Sequence, residues 1–564
     1  MDSNTTLPGH SPDVSSHSLV VYFFVATLCS LLIRHVLASS SKLSAVTDGK
    51  SQPQLPPLVP HIIPWLGSLP WEFAMKPLDY LFTNPMFWKQ HPVRLRTLFR
   101  DIYIIQGAHD QYTFMKTPSL SAFFVSRTFL VNVFCLPHSA AKTYLKDDSG
   151  EHAKPRAGSQ VPNRNRIQFY TRTSQQRGFI GAGSASTFRR LHCSVRRRVG
   201  SIEVAEHWTH IPDFTKFFKF HVTAAAVDAM VGPYLMQHYP SLADDLWSIE
   251  ENFGSFITRL PRFVNPEAHR LRERALNSVR QWHVWARENF TPASVDEDGN
   301  DPYWGTAFFR DRQKTLSNMD GFTHEALAST DLSFLWGANS NAILATFWLC
   351  LEAYRDPANL QTIRDEVNEC MKPGPDGKRC LDVKKLLAQP FLSAMYTENL
   401  RLRVHGFLLR QTQYEDVRLN DWLIPRGSFC ISASTPTLME PDYWYKERSG
   451  SEHPAEEFWP GRFLSRDPET NELKFSLSGA EPHWTPFGAG THSCPGRIFT
   501  KHENLTSLAC MVTMFDCEVL VPRENVIANP KSLPLGVMPP SGKVPVRMRR
   551  RAFEDFDILE KDTK

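Results

Sequence analysis

Four stretches of the chain carry an apolar pattern strong enough to define an element. From Ser18 to Ile33 no charge interrupts Leu19-Val20-Val21-Tyr22-Phe23-Phe24-Val25, and Leu28, Leu31, Leu32 and Ile33 continue the run. A helix needs about 20 such residues to cross hydrocarbon, so the pattern predicts a short anchor over 18–37 with Arg34 and His35 snorkelling. From Asp331 to Trp348 the chain is apolar on every side, with Gly337 its one helix breaker. That predicts a buried helix crossing the globule. Helices are also predicted over 359–371 and around Phe391 to Arg401, whereas Val417 to Ile431 reads as strand and turn.

Between the anchor and the globule, Pro53, Pro56, Pro57, Pro60 and Pro64 resist helix formation and predict a stiff linker. The apolar run has a second reading as a cleaved signal peptide, since Val36-Leu37-Ala38 resembles a cleavage site. Charge favours the anchor: Asp2 and Asp13 precede the run without any Lys or Arg, and Arg34, Lys42 and Lys50 follow it. Positive-inside logic then places a lumenal tail at 1–17 and the bulk of the chain in the cytosol. The sequon Asn4-Thr5-Thr6 would face the lumen as a glycosylation candidate.

Composition narrows the class. The 564 residues exceed the usual single-domain range. With 63 basic and 59 acidic residues the net charge is only +4, so no global field for nucleic acid arises. Ten cysteines stand singly, which favours a reducing compartment over a disulfide scaffold. There is no Gly-x-Gly-x-x-Gly or Walker-type loop, so any electrons derived from a nucleotide would come through a partner.

The most informative motif is Phe487-Gly488-Ala489-Gly490-Thr491-His492-Ser493-Cys494-Pro495-Gly496-Arg497. Its glycines let the backbone approach a flat ring and adopt conformations that a side chain forbids. It can be a plain turn around a buried thiol, or, with His483, His492 and His502 nearby, a zinc site. Structural zinc favours paired ligands, and the chain has no Cys-x-x-Cys. The Phe-x-x-Gly-x-x-x-Cys-x-Gly pattern resembles the haem-ligand loop of the cytochrome P-450 monooxygenases. The resemblance runs from about Pro56 to Arg551 and thins between Lys146 and Gly183, where a polar, Arg-rich stretch looks like an insertion.

The resemblance implies a mainly α fold with small β-sheets, a catalytic domain over 61–551 after a linker at 38–60, and a polar tail at 552–564. It implies a haem (heme b, iron protoporphyrin IX) with Cys494 as axial iron ligand and Phe487, Gly490 and Gly496 shaping the loop. Glu398 and Arg401, three apart on one helix face, with Arg462 of Phe458-Trp459-Pro460-Gly461-Arg462, match the family's structural triad. Arg410 falls about where the family places an arginine on a haem propionate, and His492 is suited to the other propionate. Phe188-Arg189-Arg190-Leu191-His192 falls where many members carry a Trp-x-x-x-Arg clamp, with both key residues replaced. Arg196, Arg197 and Arg198 read as a solvated basic face, suited to docking an acidic reductase.

Where most relatives have an acid followed by threonine as a proton relay, the long helix has Ser340 and Asn341. A buried Asn is also a common core amide. Leu335-Trp336 and Ala345-Thr346-Phe347-Trp348 around it resemble the branch with cholesterol and oxysterol 7α-hydroxylases, the sterol 12α-hydroxylase and prostacyclin synthase. Leu535 to Pro540 resembles that branch's final hairpin, so a pocket from Trp336 to Ala342 closed by Leu535 to Met538 is expected. The implied activity is insertion of oxygen from O2 into an apolar substrate, a steroid, terpenoid or other secondary-metabolite skeleton. Electrons would come from NADPH through a reductase at the endoplasmic reticulum membrane. The alternative is a reductase-independent isomerase of a peroxide, and a third reading is a non-catalytic haem- or sterol-binding protein.

Overall fold

The computed structural model describes residues 82–559 apart from 97–100, 182, 375–376 and 554, together with 54–58, 76 and 79. The expected anchor at 18–37, the sequon at Asn4 and most of the proline linker lie outside the described residues.

Helices dominate, and four of them carry the argument that follows. Helix α1 spans Ile167–Phe179, α2 His324–Arg355, α3 Pro390–Arg403 and α4 Arg497–Met514. The expected core helix is α2, a 32-residue element that starts where the Thr323 side chain accepts from the Ala326 amide. It ends at Asp356, which precedes Pro357 and is therefore biased away from helical backbone. The Asp356 carboxylate instead caps the next helix, Pro357–Glu369, through the amides of Ala358 and Asn359. Among the described residues α2 is the one helix long and apolar enough to cross a membrane, and it lies within the globule. It packs on α3, α4 and the helix Phe214–Val231, burying Leu332, Leu335, Ile343, Phe347 and Trp348.

Five short strands form the main sheet: β1 Val93–Arg96, β2 Asp101–Ile105, β3 Val404–Gln411, β4 Phe429–Ala433 and β5 Leu535–Val537, in spatial order β1-β2-β4-β3-β5. The β2–β4 pair is parallel and the other three are antiparallel. Strand β3 follows α3 directly, so one continuous segment carries Glu398 and Arg401 into Arg410. The tail expected from residue 552 is not wholly free. Phe556–Ile558 pairs in parallel with Arg379–Leu381, and Phe556 and Ile558 are buried, because an alternating apolar pair completes a small sheet there.

Candidate active site

The functional geometry begins behind the cysteine loop. Glu398 on α3 receives Arg401 Nε at 2.7 Å on one oxygen, and on the other Arg401 Nη2 at 2.9 Å, Arg462 Nε at 3.1 Å and the Trp459 amide at 3.0 Å. The remaining guanidinium nitrogens donate to carbonyls, Arg401 to Leu438 and Arg462 to Trp444 and Pro454. All three side chains are fully buried. Such a cluster persists in a low-dielectric interior only because every charge is paired and hydrogen-bonded.

The loop itself is fixed by backbone. The Cys494 amide donates to the Phe487 carbonyl at 2.9 Å, and Arg497 Nη1 donates to the Cys494 carbonyl at 3.2 Å. Gly490 is the position where glycine is required: φ is +67°, and a Cβ there would lie 2.8 Å from Lys116 Cα. Burial pushes the Cys494 thiol up, opposed by the amides of Gly496 and Arg497 and by the Arg497 charge.

Cys494 faces a cavity of about 1020 Å³ whose walls come from α1, α2, β3, β5 and the cysteine loop. Along α2 the wall is Thr330, Ser333, Phe334, Trp336, Gly337, Ala338, Asn341, Ala342 and Ala345. A Cβ at Gly337 would meet nothing within 4 Å, so this helix-interior glycine leaves open space on the cavity side. Strand β5 supplies Leu535, Gly536 and Val537. Ser340 is buried and stands off the cavity wall, as does Met538. Asn341 is on the wall, its Oδ1 accepting the Val537 amide at 2.7 Å.

Arg410 on β3 and His492 in the loop both line the cavity. Arg410 Nη1 donates to the Leu409 carbonyl at 3.0 Å, but its Nε has no partner, nor does His492 Nε2. Burial lowers Arg410 to about 10 despite Glu151, and lowers His492 to about 4 with help from the Arg410 charge. Glu151 lies between them in charge: it is 3.4 Å from His492 Nδ1 and 3.4 Å from Arg172 Nη1, and burial raises its pKa.

Two expectations need correction, and a third gains detail. The segment Phe188 to His192 lies on the helix Ser184–Gly200 and, apart from that helix's packing on α4, plays no part in the cavity: Arg189 pairs with Asp298, Arg190 donates to the Ala229 carbonyl, and His192 bonds His502. The wall is formed instead by α1, through Gln168, Thr171, Arg172, Gln175 and Gln176. Gln168-x-x-x-Arg172 has the clamp's spacing, a signal present in the sequence but hidden because the tryptophan is replaced and the stretch reads as an insertion. That stretch is packed structure: Arg166 donates to the carbonyls of Ala153 and His152 and holds the loop that carries Glu151. Finally, the basic face is solvated only in part: Arg196 pairs with Asp555 and Arg198 with Asp228, acidic partners from distant segments, whereas Arg197, 3.5 Å from Asp228, keeps a mostly exposed side chain.

Comparison with known proteins agrees with this geometry. A family profile described as cytochrome P-450 matches residues 231–546. The chain is 27% identical to the cytochrome P-450 monooxygenase efuG of Hormonema carpetanum over 92% of both chains. It is 29% identical to the monooxygenase fsoE of Humicola fuscoatra over 91% of both. It is 26% identical to the cholesterol 7-alpha-monooxygenase of Cricetulus griseus over 52% of this chain and 55% of the relative.

Proposed function

The chain belongs to the cytochrome P-450 family, as a monooxygenase of the branch that holds the cholesterol 7α-hydroxylases, and from that premise we propose that it hydroxylates an apolar polycyclic substrate over a haem held by Cys494. The observation that carries this reading is the composition of one cavity. It joins a cysteine on a glycine-rich loop, the buried Arg410 and half-buried Arg172 with an unpartnered Nε each, the neutral His492 with an unpartnered Nε2, and a mostly apolar opposite wall. Small-molecule sites span about 300–1,000 Å³, so this cavity, at about 1020 Å³, has room for a flat cofactor and a second ligand.

The residues fit a haem. Cys494 would supply the thiolate that holds the iron, with the Gly496 and Arg497 amides turned toward its sulfur. Arg410 and Arg172 suit the propionates, because a guanidinium pairs planar carboxylates in a bidentate way, and His492 offers a further nitrogen. When bound, the haem supplies activation of O2, favoured by electron donation from the thiolate. Gly337 and Ala338 leave a shallow stretch of α2 against which a rigid skeleton lies, while Trp336, Leu535 and Val537 exclude water from its reacting carbon. Each turnover consumes O2, two electrons and two protons, puts one oxygen atom into a C–H bond and releases the other as water.

NADPH is the proposed electron source, through a membrane-bound reductase, with residues 18–37 as the anchor that holds the enzyme at the endoplasmic reticulum facing the cytosol. The decisive experiment is the CO-difference spectrum of the reduced protein. The long-wavelength band of a thiolate-ligated haem is expected in the wild type and lost in Cys494→Ala; its persistence in the variant overturns the ligand assignment. Turnover of an endoperoxide without NADPH and reductase would replace hydroxylation with isomerisation.

A further inference from the structure

The Asn341 carboxamide is oriented by chemistry. The Val537 amide approaches it at 2.7 Å, and a backbone N–H can only donate, so the atom that meets it is oxygen. The NH2 group is thereby turned away from the Val537 amide, although its nitrogen still lies beside Gly536, 2.8 Å from where a Cβ there would stand. It donates to no protein group among the described residues, and Asn341 stands on the cavity wall.

The strand it grips is built for the contact. Gly536 has a φ of +149°, and a Cβ there would lie 2.2 Å from Asn341 Oδ1 and 2.6 Å from its Cγ, so the β5 backbone runs flush against the carboxamide. Two helical turns further along α2, Trp348 Nε1 donates to the Met538 carbonyl at 2.8 Å. On the opposite edge Gly536 pairs with His405 of β3, and the Met538 amide donates to the Arg403 carbonyl at 3.1 Å. The rim of the cavity is therefore held from both sides, and with it the direction of the Asn341 NH2. A proton relay needs a group that gains and loses a proton, which a carboxamide does not do near neutral pH. What it offers is a donor of fixed direction.

We propose that Asn341 is a substrate-binding residue: locked by Val537 and Gly536, it donates a hydrogen bond from its NH2 to a carbonyl or hydroxyl oxygen carried by the apolar skeleton. This rests on reading the cavity as the substrate chamber of a haem enzyme. A largely apolar chamber with an oriented donor on its wall distinguishes an oxygenated ligand from its hydrocarbon parent, because the hydrocarbon leaves the desolvated donor unpaired.

The test is a titration of the haem Soret shift in holoenzyme with 5α-androstan-17-one and its parent 5α-androstane. The wild type is expected to bind the ketone at least tenfold more tightly, and Asn341→Leu to bind the two within about twofold of each other. A variant that merely loosens the chamber weakens both steroids together, so the ratio reports the hydrogen bond. An unchanged ratio in Asn341→Leu, or no preference in the wild type, overturns the donor role. A second measurement tests the lock. Gly536→Ala should weaken both steroids tenfold or more with Asn341 present, and at least threefold less in an Asn341→Ala background; the strained φ costs the same in both backgrounds, so the difference isolates the steric contact. Equal losses overturn the lock. Absence of the thiolate CO band in the wild type would instead sink the haem reading itself, before any steroid is added.

Discussion

Two clusters mix arginine with carboxylate, one fully buried around Glu398 and one partly buried around Glu151, and they differ in what is left over. Around Glu398 both oxygens are engaged, and Arg401 and Arg462 spend their nitrogens on that carboxylate and on carbonyls. Around Glu151 the carboxylate reaches Arg172 and His492, yet Arg172 Nε, Arg410 Nε and His492 Nε2 have no partner. Leaving a buried donor unsatisfied costs about 1–3 kcal/mol. A complete cluster is therefore a structural brace, while an incomplete one facing a cavity is a binding site whose missing partner is a ligand.

The contrast breaks most sharply at Glu398. Glu398→Ala leaves two guanidinium groups buried without their counter-ion and is expected to cost about 3–5 kcal/mol, measured by urea unfolding of the haem-free protein. A loss below about 1 kcal/mol would erase the distinction between the two clusters. Added haem should not rescue this variant, because the defect lies in the segment that supports the loop.

A smaller effect is expected at His405, which follows the brace on β3 and forms a bond to Thr435 Oγ1 at 3.1 Å. Burial lowers it to about 3 from an ordinary value of 6.5. The unfolded chain then takes up a proton that the fold refuses, so this contribution to stability is fully present above pH 6.5 and is lost as pH falls toward 3. Between pH 6.5 and 5 the loss is about 2 kcal/mol. His405→Gln should flatten the acid limb of the stability curve by that amount; an unchanged limb would assign the acid sensitivity to other buried histidines such as His192, also lowered to about 3.

The brace was the more legible of the two clusters in the sequence. Glu398 and Arg401 share a helix face by spacing, a pattern common on any helix, and it is the resemblance to the family that joined them to Arg462; α2 announces itself by continuous apolarity, so its identification as a core helix needed no partner information. The ligand cradle was only half legible. Arg410 and His492 sit close in sequence to recognisable motifs, but Glu151 and Arg172 come from a polar stretch without periodicity, where neither burial nor a cavity has a local signature. The same limit explains Arg196 and Arg198: their carboxylates come from Asp555 and Asp228, and pairing over such separations is set by tertiary packing. Gly536 stood in a recognisable hairpin, yet its reason for being glycine is Asn341, nearly two hundred residues upstream.

The subtlest change in stability is the most discriminating. Arg410 carries a charge that burial disfavours, pushed down to about 10, with Glu151 as partial compensation. Arg410→Met removes that charge, keeps most of the aliphatic volume and leaves no new guanidinium stranded. In the haem-free protein its stability should therefore change by less than about 1 kcal/mol, since replacing an imperfectly paired buried charge with an apolar side chain is often neutral. Haem titration should show the opposite, with affinity reduced about tenfold or more through loss of a charge-assisted bond to a propionate. The extra stability that a bound cofactor confers by mass action should shrink with it. If Arg410→Met instead destabilises the haem-free protein by about 3 kcal/mol, as removal of Glu398 should, then Arg410 belongs to the brace, and its unpartnered Nε does not mark a ligand site.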